Sequence, residues 1–301
     1  MHKYLLLLVT LAIAGCQQAA EEAAVEETAA EEAPAPAATG PSLAELLDAQ
    51  PDDVKARYEY RHPQETLEFF GIEPGMTVAE GLPGRGWYTK VLVPYLGSSG
   101  HVIGVSYSIA MWPLFAFATE EFITGRRTWT TDFPADAEEW RDENSASISA
   151  YTFGSVPDDI AGKADVVFFA RVLHNLANFE NAGKGDFLTI ALADAYALLK
   201  PGGIFGVVQH HARDDMSDEF ANGTHGYLKK NFVIAQAETT GFEFVGEIDI
   251  NANENDQPSE DDIVWRLPPT YYGADDDAEL RAAVDAIGES NRMTLKFRKP
   301  E

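Results

Sequence analysis

The stretch Val78-Ala79-Glu80-Gly81-Leu82-Pro83-Gly84-Arg85-Gly86 decides the fold class of this chain. Its beginning belongs to a short apolar run over residues 77–80 that predicts a strand, and its end is a glycine-rich loop. Residues 87–96, which stop before Gly97, predict a helix after the loop. Glycines let a backbone approach a ligand closely, and the N–H groups of a helix N-terminus attract anions. The same spacing also suits tight packing of strand against helix without a ligand.

Predicted strands and helices alternate through the rest of the chain. Strands are predicted over residues 101–105, 147–153, 165–170, 204–209, 242–250 and 293–299. Helices are predicted over residues 63–70, 109–123, 186–199, 227–240 and 278–287, with one or two short helices before them and irregular segments at 125–145 and 251–277. We expect Asp186 to cap its helix and Pro94 to bend or shorten the helix before Gly97.

This alternation predicts an α/β fold with a mainly parallel sheet and helices on both faces. Ligands of such sheets bind at the carboxyl ends of the strands. Functional side chains are therefore expected in four segments, residues 80–86, 105–108, 170–174 and 209–211.

Composition and charge exclude several classes of protein. The chain has 301 residues, 45% of them hydrophobic, so it is not wholly disordered. Its formal net charge of −27 argues against nucleic acid or anionic lipid as direct partners, because phosphates would be repelled. That charge is typical of solubility in a salty medium, and a cationic partner is the alternative. A single cysteine excludes internal disulfides and zinc sites built from several thiolates.

The N-terminus predicts a cellular address. Residues 4–14 form an apolar run too short for a membrane span, which needs about 20 residues, and of the right length for a signal peptide. The sequence Leu11-Ala12-Ile13-Ala14-Gly15-Cys16 resembles the lipobox of bacterial lipoproteins. The resemblance implies that Cys16 is lipidated and becomes the mature N-terminus, and Gln17 after it favours the outer membrane. An ordinary secretory signal with an accidental cysteine is the alternative.

Three regions are therefore expected along the chain. Residues 1–15 are a lipoprotein signal peptide, and residues 16–41 are the lipidated cysteine and an acidic Ala/Glu/Pro tether with six glutamates. Residues 42–301 form the globular domain. We expect the protein in the cell envelope on the periplasmic face of the outer membrane, touching the membrane through its lipid anchor only.

Three segments carry a family resemblance: the Val78–Gly86 stretch, Asp165–Ala170 as the fourth strand, and Leu198-Leu199-Lys200-Pro201-Gly202-Gly203 before the fifth. In this order they resemble class I methyltransferases that depend on S-adenosylmethionine, and most of all a small bacterial group of predicted methyltransferases. The likeness covers about residues 55–300. It implies a Rossmann-like, seven-stranded class I methyltransferase fold.

The resemblance also implies S-adenosylmethionine as the cofactor and a set of residues around it. Glu80, Gly81, Gly84 and Gly86 would surround its methionine part, and the other implied contacts are Trp87, Ser106 and Arg171. Ser106 is a departure, because the family usually has an acidic residue there that accepts hydrogen bonds from both ribose hydroxyls. Without that carboxylate, the cofactor binds more weakly, by about 1–3 kcal/mol of binding free energy.

Two histidines are the candidate catalytic residues. His174 follows the fourth strand and can act as a general base, since the unperturbed pKa of histidine is about 6.5. The alternative is that His174 caps a helix or lies hydrogen-bonded in the core. His210 and His211 end the fifth strand, and we favour His210 because the resemblance places a histidine there. Metal binding by these two with Asp214, Asp215 or His225 matches no compact ligand motif, so we predict no metal. The aromatic residues Trp87, Tyr88, Tyr107, Trp112, Tyr271 and Tyr272 can line a pocket or belong to the core.

The leading interpretation is an envelope-anchored methyltransferase that moves a methyl group from S-adenosylmethionine to a small molecule. A non-catalytic envelope binding protein that retains the methyltransferase fold is the alternative. A third reading, an NAD(P)-dependent oxidoreductase, fits less well because the spacing is Gly-x-x-Gly-x-Gly rather than Gly-x-Gly-x-x-Gly.

Overall fold

A computed structural model of the chain describes residues 40–301. The predicted signal peptide, Cys16 and almost all of the predicted tether lie outside these residues. The described part contains one seven-stranded sheet. Its strands are β1 (Thr77–Gly81), β2 (His101–Ser106), β3 (Ser147–Thr152), β4 (Ala164–Ala170), β5 (Leu199–His210), β6 (Glu243–Glu247) and β7 (Arg292–Arg298).

The strand order is β3-β2-β1-β4-β5-β7-β6. The first five strands of this order run parallel to one another, whereas β7 is antiparallel to both β5 and β6. The strand order reverses between β1 and β4, and ligands bind at such switch points in open α/β sheets. The order, with its reversed β7, is that of the Rossmann-like class I methyltransferase fold, which confirms the predicted fold class.

Eleven helices are present among the described residues. They are α1 (Leu43–Asp48), α2 (Asp52–Lys55), α3 (Tyr58–Arg61), α4 (Pro63–Phe70), α5 (Thr89–Leu96), α6 (Glu120–Arg127), α7 (Trp129–Ala137), α8 (Leu173–Asn181), α9 (Phe187–Leu198), α10 (Lys230–Thr240) and α11 (Ala278–Ile287). No helix of residues 40–301 combines the length and the apolar character needed to cross a membrane.

Alternating side chains of the central strands divide the core into two layers. Val78, Val166 and Phe168 face one side and pack with α1, α4 and α5. Ala79 and Val167, their sequence neighbours, face the other side and pack with α8, α9 and α10. This alternation is the period of two expected of a strand, and both layers are apolar because helices cover both faces of the sheet.

The prediction of an apolar helix over residues 109–123 is wrong. The chain forms a single 3-10 turn at Trp112–Leu114, where Pro113 occupies a first-turn position, and then starts α6. The side chain of Thr119 accepts a hydrogen bond from the Phe122 N–H at 3.2 Å and so caps α6. A local cap therefore decides where the helix begins.

The prediction that residues 125–145 are irregular is also wrong, since these residues contain the end of α6 and the whole of α7. Trp129 and Phe133 lie one turn apart on α7, and both are buried with Ala150 of β3. This packing holds the helix although Pro134 lies inside it.

Three local expectations need correction as well. Asp186 does not cap α9; the N–H of Thr189 donates instead to Glu180 Oε2 at 2.9 Å. Pro94 does not end α5 early, because the helix continues to Leu96. The helix predicted from residue 227 begins only at Lys230, since Leu228 forms a bridge with His211.

Candidate functional site

Two adjoining cavities open at the carboxyl ends of the central strands. The apolar cavity, of about 730 Å³, is lined mainly by aromatic and aliphatic residues, which include Leu82, Tyr107, Trp112, Leu114, Phe115, Phe117, Phe179 and Trp265. The basic cavity, of about 440 Å³, is lined by residues that include Arg57, Arg61, Arg85, Trp87, Arg171, His174, His210, Trp265, Leu267 and Glu289. Leu82, Arg171, Trp265 and Thr270 line both cavities. The two spaces therefore meet along a shared wall.

An aromatic cluster forms the wall of the apolar cavity at the end of β2. The Tyr107 ring stacks on Phe115 with centroids 5.8 Å apart and meets Trp112 edge-on at 5.3 Å. The Tyr107 hydroxyl donates to the Val172 carbonyl oxygen and accepts from the side-chain amide of Asn175, both at 3.3 Å. Burial raises the pKa of Tyr107, so this group stays neutral. These aromatic side chains thus form an uncharged wall, held by ring packing and by two hydrogen bonds of the Tyr107 hydroxyl.

One buried carboxylate organises the far side of the basic cavity. Glu289 accepts hydrogen bonds from Arg57 Nε at 2.8 Å, from Arg61 Nε at 3.1 Å and from Arg292 Nη2 at 2.8 Å. Burial alone would raise the pKa of Glu289, but Arg292, Arg61 and Arg57 outweigh it and lower that pKa to about 2. Glu289 is therefore ionised throughout the physiological range and ties the segment before β7 to the N-terminal helices.

Arg171 lies at the junction of the two cavities, directly after β4. Its backbone takes the left-handed conformation, φ +62°, and its N–H donates to the Val208 carbonyl oxygen at 2.7 Å. Burial and the neighbouring Arg292 lower the pKa of Arg171. No described residue forms an ion pair with its guanidinium, in contrast to Arg57 and Arg61.

His174, on α8, is held as a neutral imidazole. Its Nδ1 lies 3.4 Å from Gln209 Oε1, and Gln209 in turn donates its amide N–H to the Gly226 carbonyl oxygen at 3.2 Å. Gln209 Nε2 lies 3.3 Å from the same His174 Nδ1, so the side chain of Gln209 holds the imidazole in place through Nδ1. Burial lowers the pKa of His174 to about 4, an effect that Arg171 strengthens.

His210, at the end of β5, lies beside it. The two imidazole centroids are 5.2 Å apart, and His210 Nδ1 lies 2.6 Å from the Ser290 hydroxyl. Burial, helped by His174 and the arginines, lowers the pKa of His210 well below its ordinary value. The structure thus brings the two predicted catalytic histidines together in one cavity, both uncharged at neutral pH.

The predicted cofactor contacts fall into two groups. Gly84, Trp87 and Arg171 line the basic cavity. Glu80, Gly81, Gly86 and Ser106 are buried and line neither cavity. The carboxyl ends of β1 and β2 therefore present Leu82 and Tyr107, rather than Glu80 and Ser106, to the open space.

Packing explains two of the three glycines predicted to surround a ligand. A Cβ on Gly81 would lie 2.5 Å from the Phe169 ring, and a Cβ on Gly86 would lie 2.5 Å from the Trp140 ring. At Gly84, where φ is +62°, the nearest atom would be 3.9 Å away. Tight packing, the alternative interpretation of this loop, thus accounts for Gly81 and Gly86, and Gly84 faces open space.

Glu80 is committed to the start of the helix after the loop. Its Oε2 accepts a hydrogen bond from the Thr89 hydroxyl at 2.6 Å, at the first position of α5. Burial raises the pKa of Glu80 to about 7, although Thr89 and Arg171 oppose the rise. Through this hydrogen bond Glu80, which lines neither cavity, connects the end of β1 to the start of α5 across the glycine loop.

Sequence reasoning missed the residues that the chain termini bring to the basic cavity. Arg57 and Arg61 come from the helices before β1, and Glu289 and Ser290 come from the segment before β7. Trp265 and Leu267 belong to the segment 251–277, whose role the sequence left open, and they cover the cavities. The sequence feature that could have indicated them is the pair Arg57 and Arg61, because the chain has few basic residues.

The histidine and aspartate side chains considered as metal ligands do not converge. Within residues 40–301 no group of three or more histidine, cysteine, aspartate or glutamate side chains is placed to hold a metal ion. His211 and His225 line neither of the two cavities.

Comparison with known proteins gives likeness of fold only. No family model matches the chain, and no curated protein sequence matches it. A solved SAM-dependent methyltransferase from Aquifex aeolicus is similar with 16% identity over 70% of this chain and 93% of that chain, at a TM-score of 0.44. Geranyl diphosphate C-methyltransferase from Streptomyces coelicolor is similar with 12% identity over 85% and 87% of the two chains, at a TM-score of 0.49. The arsenic(III) S-adenosylmethionine methyltransferase CrArsM from Chlamydomonas reinhardtii has 16% identity over 88% and 75%, at a TM-score of 0.42.

Proposed function

We propose that this protein is an S-adenosylmethionine-dependent methyltransferase acting on a small molecule. The observation that carries the proposal is the pair of cavities with a shared wall at the switch point of the sheet. A group transfer between two small molecules needs two such spaces in contact, because donor and acceptor must meet in line. We assign the apolar cavity to the donor and the basic cavity with its two histidines to the acceptor, although Gly84 and Trp87, two contacts that the resemblance implies for the donor, line the basic cavity.

The apolar cavity fits the donor in size and lining. Its volume of about 730 Å³ lies within the range of about 300–1,000 Å³ that small-molecule sites occupy. Aromatic side chains, Tyr107 and Trp112 among them, line it and can contact an adenine, and the Arg171 guanidinium offers a partner for the methionyl carboxylate. Residue 106 is a serine, so the ribose would be held without the carboxylate that the resemblance leads one to expect.

When bound, S-adenosylmethionine supplies a methyl group on a cationic sulfur: the acceptor's lone pair forms a bond to the methyl carbon while the carbon–sulfur bond breaks and its electron pair stays on sulfur. The neutral imidazole of His174 carries one free lone pair on its ring and takes the acceptor's proton. His210 lies next to it and orients the acceptor. Leu82, Trp265 and Leu267 exclude water from the junction.

We further propose that the protein is a lipoprotein of the cell envelope, anchored through Cys16. The support is the sequence Leu11–Cys16 and the apolar run before it. Several acyl chains hold a protein on a bilayer far more firmly than one chain. The globular part would then work at the membrane surface on the periplasmic side of the outer membrane.

A second candidate function is non-catalytic binding of a small molecule by the retained fold. It is favoured by the burial of Glu80, Gly81 and Ser106 away from both cavities, because these are three of the contacts that a methyltransferase of this class would use. Leu82 at φ +52° adds a side chain in their place.

Titration of the full-length chain with S-adenosylhomocysteine separates the two functions. The methyltransferase predicts saturable one-to-one binding that the Arg171→Gln substitution weakens, with Arg127→Gln, exposed at the end of α6, as the matched control. Absence of binding at millimolar ligand would contradict the methyltransferase and leave the binding protein.

A further inference from the structure

The basic cavity carries more positive charge than its own carboxylate balances. Arg57, Arg61, Arg85 and Arg171 line it, and Glu289 is the acidic residue among the described residues that do so. The chain as a whole has a net charge of −27, so this cluster runs against the charge of the molecule. A concentration of one sign in a cavity attracts ligands of the other sign.

Glu289 is already shared among several guanidinium groups. Its two oxygens accept hydrogen bonds from Arg57, Arg61 and Arg292, so one negative charge faces three positive charges. Burial, followed by the effect of Arg171, lowers the pKa of Arg61 to about 9. Arg171 and Arg57 add to the effect of burial on this pKa, so Arg61 lies near two further positive charges as well as Glu289.

Two of the four arginines, Arg171 and the exposed Arg85, form no ion pair with a described residue. Of these two, Arg171 lines both cavities. Leu82, which also lines both, shares its unusual backbone: φ is +52° at Leu82 and +62° at Arg171. Left-handed conformations cost a non-glycine residue free energy and occur preferentially where a ligand is held.

We propose that the basic cavity binds a dianionic oxyanion, the phosphate of a phosphate monoester, and that Arg171 is its principal contact. The planar fork of a guanidinium matches two phosphate oxygens, and a dianion balances the excess charge better than a carboxylate does. Trp265 and Leu267 give the organic part of the ester an apolar wall. That this ester is the methyl acceptor rests on the proposed function, whereas the anion site rests on the arginines alone.

The test is a calorimetric titration of the full-length chain with three probes that share one ring and differ in charge: phenyl phosphate, benzoate and phenol. We expect phenyl phosphate to bind most tightly, benzoate more weakly and phenol weakest. Arg171→Gln should lower the affinity for phenyl phosphate by about tenfold or more, since a charge-assisted hydrogen bond is lost. Arg171→Lys should lower this affinity by less. Arg127→Gln, exposed and outside both cavities, should leave the affinity unchanged.

Equal affinities for phenol and phenyl phosphate in the unmodified chain, or no binding of phenyl phosphate at millimolar concentration, would overturn the anion site without any variant. An equal loss in Arg127→Gln would overturn it too. Titration with S-adenosylhomocysteine in parallel keeps the proposals apart. Binding of the nucleoside without phenyl phosphate overturns the anion site alone, and binding of phenyl phosphate without the nucleoside supports the anion site and contradicts methyl transfer.

Discussion

The imidazole of His174 lies beside that of His210, with ring centroids 5.2 Å apart, and their sequence positions belong to different elements, α8 and the end of β5. Both rings share a cavity with several arginines and only one described carboxylate. An imidazolium there would face like charges in a buried space, so both rings remain neutral. Neutral imidazoles accept protons, and this is what an acceptor site needs.

The protonation of His174 gives the first prediction. The pKa is about 4 in the folded protein and about 6.5 in the unfolded chain, so His174 adds stability above pH 6.5 that is lost as the pH falls toward 4. The loss amounts to about 3 kcal/mol, at about 1.4 kcal/mol for each unit of pKa. Unfolding in urea at pH 7 and pH 4 should show a smaller acid destabilisation in His174→Asn than in the unmodified chain. An imidazole NMR signal of His174 that titrates near 6.5 would contradict this.

The glycine loop gives a second prediction, about packing. Gly81→Ala should destabilise the protein by about 1–3 kcal/mol, because the new methyl group would overlap the Phe169 ring. Gly125→Ala is the matched control, since this glycine lies in α6 with no atom within 4 Å of the added carbon, and it should stabilise by about 0.5–1 kcal/mol. Urea unfolding measures both. If Gly81→Ala is as stable as the unmodified chain, Phe169 does not explain that glycine.

The buried carboxylate gives a third prediction. Glu289→Gln leaves Arg61 and Arg292 buried without a counter-charge and should cost about 3–5 kcal/mol of the free energy of unfolding. Glu243→Gln removes an exposed partner, 3.5 Å from Arg298, and should cost less than about 1 kcal/mol. Similar losses in the two variants would show that Glu289 does not hold the arginines together.

The proposed anchor gives a fourth prediction, which concerns residues outside the described part. Cells that express the unmodified chain and receive labelled fatty acid should incorporate the label into the protein, and the Cys16→Ala variant should not. Since the chain has a single cysteine, no other thiol can take the acyl chain. Unchanged labelling of the variant would refute lipidation at Cys16.

The strands of the sheet could be predicted well because each of them shows a short, local pattern of apolar residues. The apolar runs of β4 and β5 are typical of strands buried on both faces, and the glycines after β1 indicated the loop at its carboxyl end. Helices were predicted less well: α7 depends on Trp129 and Phe133 packing on β3, which no local pattern reveals.

The candidate site was predicted only where it follows the strands. Arg171 and His174 follow β4 within four residues and His210 ends β5, so the parallel sheet itself brings them together. Arg57 and Glu289, which are 232 positions apart, meet only because the two termini of the domain fold over the same edge. A single sequence contains no signal for such a pairing, and the basic character of the cavity therefore came from the structure.

The most direct test of the two-cavity account is calorimetric titration of the full-length chain with S-adenosylhomocysteine. If the apolar cavity is the donor site, one nucleoside binds saturably to each chain, and Arg171→Gln weakens this binding whereas Arg127→Gln does not affect it. A flat titration at millimolar S-adenosylhomocysteine, with a chain that unfolds cooperatively in urea, would contradict it.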